Sequence, residues 1–83
     1  MTDKKEEIQL MTELDVLRAL RNLYLEKLVG ARISYQYFDK KTKEPKNGDS
    51  LTKINEQRKT ATINIENNKM MLEIIDNYLA KVN

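Results

Sequence analysis

The sequence predicts an all-α protein: an antiparallel two-helix hairpin of coiled-coil type, pairing with a second copy as a four-helix bundle. Three observations carry this. Apolar residues recur through two long stretches in an unbroken alternation of three- and four-residue steps. The single Pro and one of the two Gly fall together in the polar stretch DKKTKEPKNGDS, residues 39–50. That stretch leaves two arms of similar length, and 34% of residues are charged, as long solvent-facing helices require. A chain of 83 residues holds one domain, here 1–83, with a helix over about 4–38, a turn over 39–50 and a helix over about 51–82.

In the first arm the seam is Leu10, Leu14, Leu17, Arg21, Tyr24, Leu28, Ala31, Tyr35 and Phe38, with Arg21 its charged member. Such an arm forms a helix of roughly 30 residues, about 45–50 Å long. Asp3 is its expected cap, and Glu6 and Glu7 suit the positive end of the helix dipole. In the second arm the seam is Leu51, Ile54, Arg58, Ala61, Ile65, Asn68, Leu72, Ile75, Leu79 and Val82. Asp49 or Ser50 can cap this helix, and Lys81 sits in its last turn, where a cation is favoured.

Folding the arms about the midpoint between Glu44 and Pro45 sets residue i against residue 89 − i. Leu10 then meets Leu79, Leu14 meets Ile75 and Leu17 meets Leu72. Arg21 meets Asn68, so two polar seam residues share one layer and act as a register device: a slipped alignment strands a polar group at about 1–3 kcal/mol. A competing α+β reading pairs RISYQYF, 32–38, with TATINI, 60–65, within the stretch 60–66, as short strands between shorter helices. The unbroken heptad phase through both segments favours the hairpin. Gly30 inside the first helix costs only about 1 kcal/mol.

The seam does not use all the apolar residues. Val16, Leu20 and Leu23 lie to one side of it on the first arm, and Met71, Ile74 and Tyr78 occupy the equivalent c and g heptad positions on the second. In an antiparallel pair these six share one face near the termini, while Met11 and Leu25 extend the opposite edge. A two-helix hairpin cannot bury two faces, so a homodimer, or a different protein partner, is expected to cover this one.

Chemistry is sparse. With no His, Cys or Trp, the chain has no thiolate, no Ser-His or Cys-His triad, no zinc finger and no disulfide. No phosphate loop or dinucleotide fingerprint appears, and the acids of 39–49 lack EF-hand spacing. Leu14-Asp-Val-Leu17-Arg18 is similar to the L-x-x-L-R opening of the short helical chorismate mutases. The following Asn22-Leu-Tyr-Leu-Glu-Lys27 departs from that family's pattern, and only Arg21 and Arg58 bring charge to the seam. No enzyme activity, cofactor or metal is therefore expected.

Cations gather near the turn. Residues 39–59 carry net +3, with Lys40, Lys41, Lys43 and Lys46 as possible nucleic-acid contacts beside Tyr35, Tyr37 and Phe38. No basic-then-apolar leader opens the sequence and no apolar run of 18 residues occurs, so neither a signal peptide nor a membrane span is expected. The eight Asn, the many Lys and the scarcity of Gly, Pro and Ala suit an AT-rich source, a low-GC bacterium or its phage. The expected function is thus a small cytoplasmic interaction module, an adaptor, chaperone or regulator encoded by a phage or mobile element. The alternative is a nucleic-acid accessory protein using the basic tip.

Overall fold

The computed structural model describes residues 2–82, with side chains described from Thr12 to Val82. Helix α1 spans Thr2–Lys43 and helix α2 spans Leu51–Val82, antiparallel and packed against each other. No strand occurs among the described residues. Residues 32–38 lie inside α1 and 60–66 inside α2, so the α+β alternative is overturned. The reason is that β propensity is weak and context-bound, whereas both segments bury seam residues only when helical. Ala31, directly before the first segment, and Ala61, inside the second, are among the most buried side chains.

The seam is close to the expected one. Leu28, Ala31, Ile54, Ala61 and Ile75 are buried, and Leu14, Leu17, Tyr24, Phe38, Ile65, Leu72, Leu79 and Val82 are half-buried. Tyr35 and Leu51 remain exposed. Leu51 opens α2 beside the turn, where α1 has already ended. The expected contributions of Asp3, Glu6, Glu7, Leu10 and Met11 lie outside the described side chains.

Helix α1 runs five residues beyond the expected end at 38. Asp39 holds this extension. Its carboxylate accepts from Arg58 across the hairpin at 3.0 Å and pairs with Lys43 one turn on at 3.2 Å. Its carbonyl accepts from the Thr42 hydroxyl at 2.6 Å. Lys40, Lys41 and Lys43 lie in the last turn, where the helix dipole favours cations. Glu44 N–H still donates to the Lys40 carbonyl at 2.9 Å, and Pro45 then bars continuation.

The turn is closed by one carboxylate. Asp49 Oδ2 accepts from the Lys46 backbone N–H at 2.8 Å and from Lys41 Nζ at 3.3 Å, while its own N–H donates to the Lys46 carbonyl. Gly48 has φ +89°, a left-handed conformation that an L side chain resists. Ser50 is the cap of α2: its hydroxyl accepts from Lys53 N–H at 3.4 Å and its carbonyl from Ile54 N–H at 3.0 Å.

The longer α1 changes the register. Two cross-hairpin ion pairs, Arg21–Asp76 and Arg58–Asp39, both set residue i near 97 − i, not the expected 89 − i. The helices are therefore displaced by about one heptad, or roughly 11 Å at 1.5 Å per residue. Such a slip returns a and d positions to the seam, which is why the buried set survives it. The Arg21–Asn68 layer is corrected: Arg21 Nε donates to Asp76 Oδ1 at 2.8 Å, and Asn68 lies with Lys27 and Ala31 instead.

Candidate interaction face

The hairpin measures 68 × 18 × 14 Å, with a Cα radius of gyration of 19.2 Å. A compact chain of this length would have a radius near 12 Å. One helix pair cannot enclose much: among the described residues, no side chain falls below 2% exposure. Both flanks of the seam therefore meet solvent, and they differ sharply in chemistry.

One flank carries the c and g positions. At the end bearing the termini it presents Val16, Leu20, Leu23, Ile74 and Tyr78, all exposed, with Met71 half-buried beside them. Nearer the turn the same flank becomes an open groove of about 420 Å³. Its floor is Ala31, Ala61 and Phe38, and its rims are Lys27, Ser34, Gln57, Thr60, Asn64 and Asn68. Small side chains on the seam leave this groove unfilled. Among the fourteen c and g positions of 16–37 and 57–78, only Lys27 is charged. Its ammonium lies 4.9 Å from the Tyr24 ring centroid, held back along its own helix.

The other flank, the b and e positions, carries eight charged residues over fourteen positions between 15 and 76. The Arg21–Asp76 bridge crosses there; its side chains are about half exposed, so it contributes less than about 1 kcal/mol. Leu25 sits on this flank, as expected. The outward-facing Val29 and Ile33 continue from it in steps of four, and Ile63 and Met70 are exposed on the outer face of α2. These four were not singled out from the sequence, although the four-residue spacing of Leu25, Val29 and Ile33 is visible there.

At the tip, the four lysines are brought together near the turn, interleaved with acids. Lys41 pairs with Asp49, Lys43 with Asp39, and the Lys46 backbone with Asp49. A shallow depression there is lined by Tyr37, Lys40, Lys41, Glu44 and Lys46. Asp39 is held below its ordinary value of 3.8 by hydrogen bonds from Lys43 and Arg58. Asp49 is lowered likewise by the Lys46 N–H and Lys41. Arg21 and Arg58 do not share a pocket: each is bound to its own aspartate, one toward each end of the rod.

Fold and site together define an all-α helical hairpin with one charge-poor flank. No family model matches this chain, no curated protein matches it, and no solved structure matches it. Among the described residues, no helix is long and apolar enough to cross a membrane.

Proposed function

We propose that this chain is a small non-catalytic interaction module, an adaptor, chaperone or regulator of a cytoplasmic process, acting through its c/g helix face. The observation that carries the reading is the apolar cluster Val16, Leu20, Leu23, Met71, Ile74 and Tyr78, largely uncovered on a flank almost devoid of charge. Recognition through such a face uses anchors at helical spacing on both strands of the hairpin. The separation of Arg21 from Arg58, each neutralised by an aspartate, supports a non-catalytic role. The ion pairs at the tip weigh against the nucleic-acid alternative, because they tie lysines to carboxylates and to the end of α1.

The reading is tested by capture from a lysate of the encoding organism with native, Leu20→Glu, Ile74→Glu and Lys40→Gln/Lys46→Gln proteins. Loss of the captured partner in the two Glu variants, and retention in the lysine variant, is expected. Oligonucleotide binding that weakens steeply between 50 and 200 mM salt and disappears in the lysine variant would transfer the function to the tip.

A further inference from the structure

The geometry points to a second copy of this chain as the occupant of the c/g face, with two hairpins side by side and their turns at the same end. This rests on the interaction-face reading and adds the partner and its orientation. Surface area is the first reason. The hairpin exposes 6893 Å², whereas a folded monomer of 9.8 kDa exposes about 5,200 Å². The excess is about 1,700 Å² per chain, and two copies covering it bury about 3,400 Å² in total, inside the range of obligate homodimers. The six apolar residues alone are too few to supply this area. The contact must run the length of the flank, groove included.

Gly30 is the second reason. It lies at a c position midway along this flank, exposed, in ordinary helical conformation. A Cβ placed there meets nothing within 4 Å. Nothing inside the hairpin calls for a helix-weakening residue at this point. A neighbouring helix crossing close to the α1 backbone does.

The flank's two halves set the orientation. With the turns together, the apolar half meets itself, and Ser34, Gln57, Thr60 and Asn64 meet their own kind. Each of these can donate and accept, so pairing across a two-fold axis leaves them satisfied. With the turns apart, Leu20 and Ile74 would be set on hydroxyls and amides. Placing two tips of net +3 at one end is tolerated: they are partly ion-paired and exposed to salt with a screening length of about 8 Å.

The experiment is sedimentation equilibrium at micromolar concentration on native, Gly30→Leu and Leu20→Glu proteins, with helicity followed by circular dichroism. Because the chain has no Cys, a nitroxide on Asn47→Cys reports the tip-to-tip distance cleanly. Twice the 9.8 kDa chain mass is expected for the native protein, with at least tenfold weaker association and unchanged helicity in both variants. The two labels should lie within about 35 Å, the width of a four-helix bundle plus linkers. A cooperatively folded native monomer overturns the second copy, while partner capture by the native chain but not Leu20→Glu would still uphold the interaction face. A dimer indifferent to both substitutions overturns the face, and a tip separation near 60 Å overturns the orientation.

Discussion

Ile75→Ala tests the seam at one of its two least exposed positions. Ile75 retains 4% of its surface, so truncation removes three buried carbons. At about 0.8 kcal/mol per carbon the transfer loss is about 2.4 kcal/mol. Core truncations of this kind cost 2–5 kcal/mol, the upper values arising where a rigid cavity persists. Here the seam is one side chain deep and open at both flanks, so the void collapses or wets, and the expected total is about 2.5–3 kcal/mol. Leu51→Ala supplies the internal standard. Leu51 is 50% exposed, so the same loss of three carbons should cost about half as much, near 1.2 kcal/mol. Both are measured by urea unfolding followed at 222 nm at one fixed protein concentration, since any association would contribute to apparent stability. With a slope near 1 kcal/mol/M for so short a chain, the Ile75→Ala midpoint should fall by about 2.5–3 M. Equal shifts for the two variants, or a loss below about 1 kcal/mol at Ile75, would refute the packing of α2 through this position.

Two further predictions concern the turn. Gly48→Ala should destabilise the hairpin by about 1–2 kcal/mol, because φ +89° forces the new Cβ against the following carbonyl; thermal melting is expected to fall by several degrees. Acid should loosen the tip. The carboxyls of Asp39 and Asp49 titrate below 3.8 when folded, so their stabilisation is complete above the ordinary aspartate value and is lost as pH falls through the folded values. Melting temperature should be flat from pH 7 to about 5 and decline below about 4, and Asp39→Asn/Asp49→Asn should flatten the acid limb.

The charge-poor apolar face was legible in the sequence because it depends only on helical phase. Val16, Leu20 and Leu23 recur at steps of four and three, and once α1 is a helix they must share a side. The groove was not legible. It exists because two small seam residues, Ala31 of α1 and Ala61 of α2, line the same stretch and leave space beside Ser34 and Asn64, a consequence of pairing two distant segments. The mixed tip was half legible: the cations were countable, but the carboxylates that bind them were identifiable only once α1 was seen to reach Lys43.

The sequence by itself determined two helices, the turn between them and most of the side chains that line the seam. All three follow from local periodicity and turn-forming residues, each read within a few helical turns. Only the tertiary structure decided the register. A heptad seam slid by seven residues buries the same positions again, so burial discriminates weakly between alignments. The choice falls to non-periodic contacts: Asp39 with Arg58, Arg21 with Asp76, and Asp49 closing the turn. Each joins residues whose meeting depends on where α1 ends, and that end lies five residues beyond the last apolar residue of its seam.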